Sequence, residues 1–380
     1  MEDEIEDLIK YNEIYLEEKA VLNIKRISKY FFSFAEKKSN SKHSLGLLKM
    51  ETKSTDDEKK MAEILKNQYE SVFSTPKDVG IIDASFFFQN TNQHHLQDFD
   101  FSPKDIENAI SEVKNSSKRG ADTWNATILK SCKEELSIPL HLIWRKSLDT
   151  GEIPEQLKET EIVPVFKGGN RSEAKNYRPI ALTSHLIKIF ERVMRDKIYK
   201  YLEVNKRLSP NQHGFRKGRS CLSQLLTHYQ KIINALEENV NYDVIYTDFA
   251  KAFDKCDHGV LIKKLKAAGI SGKIGRWIYN FLTGRKQRVK VNNTLSSESE
   301  VKSSVPQETV LAPILFLTLL NDIFESAQYC DMGSFADDTK VSLKIKNKRD
   351  THKLQGDLNN IFKWEEENNM KFNLEKFVSL

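Results

Sequence analysis

The sequence predicts an α+β fold in which helices flank a small antiparallel sheet. The apolar run Val244-Ile245-Tyr246 indicates a buried strand, and Ser334-Phe335-Ala336 with the alternating stretch Lys340–Leu343 indicates a hairpin. Longer stretches with apolar residues at spacings of three and four indicate the helices. With 380 residues and 39% hydrophobic content, the chain is long enough to bury sizeable cores and is not disordered as a whole.

The amino-terminal part of the chain is predicted to be mainly helical. An amphipathic pattern runs from Asp3 to about Glu36 and ends in a polar loop at residues 37–42. A second helix is expected from about Asp56 to Phe73. The polar stretch from Gln89 to Gln97 is interpreted as a linker, and nothing near its two histidines completes a metal site.

Further helices are indicated by end signals, by periodicity or by strong hydrophobicity. Ser102-Pro103-Lys104-Asp105 is a typical helix start, with serine at the cap and proline at the first position. The segment Val310 to Leu320 is too short to span a bilayer and is interpreted as a core helix. One more helix is expected to bury a single apolar face made of Leu222, Leu225, Leu226, Tyr229, Ile232, Ile233 and Leu236.

Three carboxylates at the ends of the predicted strands are the strongest candidates for a functional site. Asp248 follows the strand at residues 244–246, and a helix is expected to take over near Lys251. About ninety residues later, Asp337 and Asp338 lie at the tip of the hairpin. Adjacent carboxylates repel each other unless a cation lies between them, which indicates a metal site. An Asp-Asp pair alone is more often a solvated turn, because aspartate suits turn geometry.

The distribution of charge is more informative than its total. The formal net charge is only +5, but residues 166–220 carry 14 Lys or Arg against 4 Asp or Glu. A polyanion could bind along such a stretch, although each charge taken singly could equally solvate a helix face. The four cysteines lack CxxC spacing and the amino terminus lacks the pattern of a signal peptide. We therefore expect a soluble intracellular protein without a zinc site or a disulfide framework.

The order of motifs along the chain carries a family resemblance. The motifs are Ile162–Gly169, Asn176–Ile180, Leu208–Ser220, Tyr246–Asp254, Val305–Phe316 and Ser334–Thr339. In this order they resemble the reverse transcriptases of jockey-type non-LTR retrotransposons. The resemblance implies a right-hand polymerase with fingers and palm and with the thumb missing. It implies a helical linker region over residues 1–98 and a reverse transcriptase domain over residues 99–380.

The resemblance implies an RNA-directed DNA polymerase that uses an RNA template, a DNA primer and deoxynucleoside triphosphates, without a membrane. Two Mg²⁺ ions, or two Mn²⁺ ions in their place, would activate the primer 3′ hydroxyl and stabilise the leaving pyrophosphate. By motif match, Asp248, Asp337 and Asp338 would hold these ions through the oxygen ligands that Mg²⁺ prefers. Lys376 matches a lysine of the family, which implies a role in protonating the leaving group.

Matches to the family also imply the substrate contacts. Arg178 would bind the triphosphate through its guanidinium fork, with Lys167 and Lys175 as weaker candidates. Gln307 would contact the incoming nucleotide. Phe253 would lie beneath its sugar, where a ring clashes with a 2′ hydroxyl, so DNA synthesis is favoured over an RNA-making polymerase of the same palm. The residues expected to contact nucleic acid are Phe215, Arg216, Lys217 and Arg219.

Departures from the family keep a second interpretation open. Glu308 stands where the family has a small glycine, Ala312 replaces another glycine, and Phe377 replaces the usual threonine. The alternative is a catalytically inactive, truncated remnant that only binds nucleic acid. Asp254 and Asp257 are interpreted as helix-start residues and not as metal ligands.

Overall fold

The computed structural model describes residues 46–50, 53–77, 80, 82–88, 95–114 and 124–379, together with residue 15. The amphipathic stretch predicted near the amino terminus, the loop at residues 37–42 and most of the predicted linker at residues 89–97 lie outside the described residues. Over the described ranges the chain is a mixed structure of helices and strands, as predicted. Within these ranges, a helix with both the length and the apolar character needed to cross a membrane does not occur.

The elements are numbered in chain order over the described residues. The helices are α1 (Glu58–Glu70), α2 (Ala84–Phe88), α3 (Pro103–Ser111), α4 (Ala126–Ser131), α5 (Lys133–Thr150), α6 (His185–Val204), α7 (Cys221–Glu237), α8 (His258–Ala267), α9 (Gly272–Leu282), α10 (Ala312–Leu320) and α11 (Lys348–Glu367). The strands are β1 (Leu48–Met50), β2 (Lys53–Thr55), β3 (Glu159–Phe166), β4 (Tyr177–Leu182), β5 (Asn241–Thr247), β6 (Lys286–Val291), β7 (Thr294–Leu295), β8 (Ser299–Glu300), β9 (Asp331–Phe335), β10 (Asp338–Ile345) and β11 (Val378–Ser379).

A four-stranded antiparallel sheet carries the candidate site. Its strand order is β11-β5-β10-β9, and β9 and β10 form the predicted hairpin. Thr339 pairs with Thr247 in the register of β10 against β5, and continuing that register places Asp338 opposite Asp248. The predicted strand before Asp248 and the predicted hairpin are therefore confirmed.

A second sheet follows the order β4-β3-β6-β7, with β8 also paired to β6. Strand β3 runs antiparallel to β4 but parallel to β6, which lies more than a hundred residues further along the chain. Helix α1 packs on this sheet, where Leu65 and Tyr69 share a small hydrophobic cluster with Ile162, Tyr177 and Val289. The segment before residue 98 thus contributes to the core beside this sheet.

The main core lies between the helices and one face of the four-stranded sheet. Its centre is an aromatic group in which Trp144 stacks on Phe190 at 5.0 Å between ring centroids. Trp277 packs edge-on against Phe190 and stacks on Phe281. Helix α10 is buried along its whole length, which confirms the predicted core helix.

The helix boundaries follow local capping chemistry where the sequence carries it. Ser102 accepts from the backbone N–H of Asp105, whose carboxylate accepts from Ser102 N at 2.7 Å, so the predicted helix start is confirmed. The prediction of a helix beginning near Lys251 is wrong. Ala250 N donates to Lys371 O, and the backbone of Lys251 has a φ of 52°. Residues 250–255 therefore form turns, and helix α8 begins only at His258.

Helix α7 exists as predicted, but the prediction that its apolar face is buried is wrong. In the described part of the chain, Leu222, Leu226 and Leu236 are exposed, while Gln224 and His228 are buried. The reason is that the covered face lies against polar groups of the sheet: Lys340 Nζ donates to Gln224 Oε1, and the Tyr246 hydroxyl contacts His228 Nε2.

Candidate active site

A cleft of about 870 Å³ lies at the carboxyl end of β5. Its lining brings together residues from β4, the loop after α6, the turns after β5, the loop before α10 and the chain before β11. Most of the residues singled out in the sequence meet here. These are Lys167, Arg178, Phe215, Asp248, Phe253, Gln307, Asp337 and Lys376.

The three acids are positioned by the four-stranded sheet. Asp248 follows β5, Asp337 lies in the two-residue loop between β9 and β10, and Asp338 begins β10 without lining the cleft. Loss of solvent around Asp337 raises its pKa, and the charges of Asp338 and Asp248 raise it further. Desolvation and the Asp248 charge likewise raise the pKa of Asp338. The acids are therefore close enough to repel one another.

Lys376 supplies the cation that faces these acids. Its Nζ lies 2.6 Å from Asp248 Oδ2, and this hydrogen bond raises the pKa of Lys376. The backbone supports the contact, because Asn373 N donates to Asp248 O at 2.8 Å. Three carboxylates are a donor set that suits Mg²⁺. Among the described residues, however, no group of three or more His, Cys, Asp or Glu side chains is already arranged to hold a metal ion.

Phe253 forms part of the cleft wall and is fixed by other rings. It stacks on Phe316 of α10 with 4.4 Å between ring centroids and an interplanar angle of 17°. Phe215 meets it edge-on at 6.3 Å. The ring thus has a defined orientation at the position that the family resemblance assigns to the nucleotide sugar.

Gln307 is bound by an acid that the sequence analysis assigned differently. Its Nε2 donates to Asp254 Oδ1 at 2.9 Å. Burial raises the pKa of Asp254. The interpretation of Asp254 as a helix-start residue is therefore wrong, because its carboxylate faces the cleft wall and caps no helix. Asp257 does cap α8 by accepting from Val260 N, as predicted.

The loop after Gln307 is anchored from beneath by a buried carboxylate. Glu191 Oε2 of α6 accepts from Val310 N at 2.7 Å and from Leu311 N at 2.9 Å, just before α10 begins. Burial raises the pKa of Glu191. Glu308 itself is exposed in the cleft, with a φ of 69°.

The basic residues predicted for substrate fall into two groups. Arg178 on β4 and Lys167 after β3 are exposed at the cleft, and Lys167 N donates to Asn176 O at 2.9 Å. Lys175 does not line the cleft. Its side chain is 67% exposed and pairs with Glu173 at 3.1 Å.

The loop from Phe215 to Arg219 presents fewer free cations than expected. Arg216 is turned inward with a side chain only 7% exposed, and its guanidinium binds both oxygens of Glu203. The assignment of Arg216 as a nucleic-acid contact is therefore corrected to a structural ion pair. Arg219 donates to Pro210 O, whereas Lys217 is exposed.

Lys251 is a cleft residue that the sequence analysis did not assign to the site. It lines the wall beside Asp254, and burial with the nearby Lys167 charge lowers its pKa. Its position three residues after Asp248 could have indicated a place in the site, but Lys251 was interpreted instead as the start of a helix.

Comparison with known proteins agrees with this arrangement. Residues 165–380 match the family described as reverse transcriptase (RNA-dependent DNA polymerase). The RNA-directed DNA polymerase from mobile element jockey of Drosophila melanogaster is 28% identical over 290 residues, which is 73% of this chain and 31% of that protein. The probable polymerase from transposon X-element of the same organism is 26% identical over 66% of this chain and 28% of its own length.

A third relative, the probable polymerase from transposon BS, is 28% identical over 58% of this chain and 24% of its own length. The chain thus spans about a quarter to a third of these curated relatives. The family match covers more than half of the chain and includes every residue assigned to the cleft. This chain belongs to the reverse transcriptase (RNA-dependent DNA polymerase) family.

Proposed function

We propose that this chain is the fingers and palm of an RNA-directed DNA polymerase of a non-LTR retrotransposon. It would extend a DNA primer on an RNA template with deoxynucleoside triphosphates. The observation that carries the proposal is that one cleft holds six of the predicted site residues together: Asp248, Asp337, Lys376, Arg178, Gln307 and Phe253. The polymerase domain would run over residues 99–380, with α1 packed beside its second sheet.

The cleft carries charges of both signs that suit the substrates. Arg178 and Lys167 lie on the side of β3 and β4, where they would bind the triphosphate. Asp248 and Asp337 lie on the side of the four-stranded sheet, where they would face the primer end. The cleft would therefore align the attacking and leaving groups before reaction.

The acids fit a site for divalent cations by their chemistry. Asp248, Asp337 and Asp338 would hold two Mg²⁺ or Mn²⁺ ions, which when bound activate the 3′ hydroxyl and stabilise the leaving pyrophosphate. Lys376 is protonated at neutral pH, as an ordinary lysine is, and the hydrogen bond to Asp248 raises its pKa further. It would neutralise Asp248 in the empty enzyme and stand ready to protonate the pyrophosphate.

Phe253 would select the sugar of the incoming nucleotide. Its ring is held between Phe316 and Phe215, so it has little freedom to retreat from an added 2′ hydroxyl. This supports a preference for deoxynucleotides. Gln307, held by Asp254, would contact the same nucleotide from the neighbouring wall.

Primer extension on an RNA template with Mg²⁺ tests the proposal. Asp248→Asn and Asp337→Asn should each lower the rate by orders of magnitude and leave the melting temperature nearly unchanged, because an amide cannot balance a divalent charge. Asp331→Asn is the matched control. Asp331 lies at the other end of β9 in an exposed ion pair with Lys231, and such pairs contribute little.

The wild-type protein should extend the primer, and the control should match it. Extension that survives either active-site change would refute the assignment of the acids. Salt-dependent binding of a template-primer without any extension would instead favour an inactive nucleic-acid-binding protein.

A further inference from the structure

Gln212, in the loop between α6 and α7, reaches the turn that carries Asp337. Its side chain is 3% exposed. Nε2 donates to Ala336 O at 3.0 Å, and Oε1 accepts from Ala336 N at 2.9 Å and from Gly214 N at 2.8 Å. One amide thus satisfies both backbone groups of Ala336, the residue immediately before Asp337.

The backbone beside Gln212 continues the same contact. His213 N donates to Ser334 O, and Ser334 N donates to Asn211 O, so residues 211–213 pair with β9 like a short parallel strand. Gly214 passes so close that an added Cβ would lie 2.2 Å from Ala336 N. Only glycine fits there, and the loop and the turn therefore form one packed unit.

Ala336 needs this support because its backbone is unusual. Its φ is 57°, in the left-handed region that a residue with a Cβ rarely adopts. Two-residue hairpin loops favour Gly, Asn or Asp at such positions. With alanine there, the turn depends on outside contacts to keep the conformation that directs Asp337 toward Asp248 and Asp338.

We propose that Gln212 is a positioning residue for the metal-binding carboxylate of Asp337. The inference rests on the proposed function, in which Asp337 is a metal ligand. Without the Gln212 amide, three buried backbone groups would lose their partners and the turn would relax. The carboxylate would then have to be ordered when the cation binds, so the affinity for the cation would fall.

The test compares two nearly buried glutamines that contact the same hairpin. Gln212→Met keeps side-chain length and removes the hydrogen bonds to the turn. Gln224→Met is the matched control, because Gln224 Oε1 accepts from Lys340 Nζ on β10 and not from the backbone of Ala336 or Gly214. Free Mn²⁺ is measured by electron paramagnetic resonance during titration of the full chain. The Mn²⁺ dissociation constant should rise about tenfold in Gln212→Met and stay within twofold in the control.

Hydrogen exchange gives a readout that does not require a bound cation. The peptide covering residues 333–339 should exchange faster in Gln212→Met than in Gln224→Met. If Gln212→Met fails to fold, Gln212→Glu retains the two accepted hydrogen bonds and loses only the donated one. Its added negative charge would by itself strengthen Mn²⁺ binding, so weaker binding in this variant would support lost positioning.

Asp337→Asn separates failure of this inference from failure of the proposed function. If Asp337→Asn weakens Mn²⁺ binding but Gln212→Met binds as the wild type does, or Gln212→Glu binds more tightly than the wild type, the positioning role is overturned and the metal site stands. If Asp337→Asn leaves Mn²⁺ binding unchanged, the metal site itself is refuted, and the positioning role with it.

Discussion

Glu308 occupies a backbone conformation that suits glycine. Its φ of 69° lies in the left-handed region, which costs a residue with a Cβ about 1 kcal/mol or more. The family has a glycine at this position, and glycine adopts this conformation without strain. The side chain points into an exposed part of the cleft next to Gln307.

Two substitutions separate the charge of Glu308 from its backbone strain. Glu308→Ala removes the charge and keeps the Cβ, whereas Glu308→Gly removes both. Both should lower the KM for deoxynucleotide by less than about fivefold, because an exposed carboxylate is screened by water and salt. Only Glu308→Gly should raise the melting temperature, by up to about 2 °C.

Steady-state titration of the nucleotide and thermal melts check these outcomes. Equal nucleotide KM in all three proteins would show that Glu308 is tolerated. A gain in melting temperature for Glu308→Ala would contradict the strain argument.

The placement of a single residue in the cleft was predictable where the residue belongs to a motif. It was unpredictable where a partner distant in the sequence determines it. Asp248, Asp337 and Phe253 were found from motif order, and the cleft unites them. Arg216 and Asp254 were misassigned because their partners, Glu203 and Gln307, are separated from them in the sequence. Hydrophobic patterns and caps carry no information about such pairs.

At the scale of elements, α7 shows how periodicity can predict a helix but not the side that is buried. Its apolar residues recur at helical spacing, and the prediction of a helix is confirmed. The sheet face beneath it is polar at Lys340 and Tyr246, so Gln224 and His228 are turned inward instead. Which face of α7 is buried depends on the surface against which the helix packs. The sequence of the helix contains no information about that surface.

This arrangement predicts a contrast between two leucine truncations. Leu226 of α7 is 61% exposed, so Leu226→Ala should change the free energy of unfolding by less than about 0.5 kcal/mol. Leu265 of α8 is buried in the main core, and Leu265→Ala should cost about 2–5 kcal/mol. Urea unfolding measures both. A cost above about 2 kcal/mol for Leu226→Ala would show that the face is covered in solution.

At the scale of the whole molecule, the excess of basic residues is concentrated in one stretch of the chain, whereas the net charge of the whole chain is only +5. Residues 166–220 carry ten more basic than acidic residues (14 minus 4), but some of these cations are already paired with acids. Lys217 is exposed near the cleft residue Phe215, whereas Lys175 is exposed but paired with Glu173. Equal changes of net charge should therefore have unequal effects on nucleic-acid binding.

Salt titrations of template-primer binding test this difference. Lys217→Ala should reduce the slope of log affinity against log salt by about one, because one phosphate contact no longer releases a counterion. Lys175→Ala makes the same change of formal charge and should leave the slope unchanged. Equal reductions would mean that overall charge governs binding instead of specific contacts.

The class of the fold was predictable, and the sheet built around β3 and β6 was not. The hairpin and the strand before Asp248 are local patterns, and both occur as predicted. The parallel pairing of β3 with β6 joins residues 159–162 to 286–289, and neither segment signals the other in sequence. Packing of α1 against that sheet is likewise a long-range event.

The pairing of β5 with β10 has a consequence for how the site is kept intact. About ninety residues separate Asp248 from Asp338, and they include α8, α9 and α10 of the large core and β6 of the second sheet. Closing so long a segment has an entropic cost that only its packing offsets. The three acids therefore do not lie in a part of the chain that folds independently. Their relative positions form and are lost together with the fold of the whole protein.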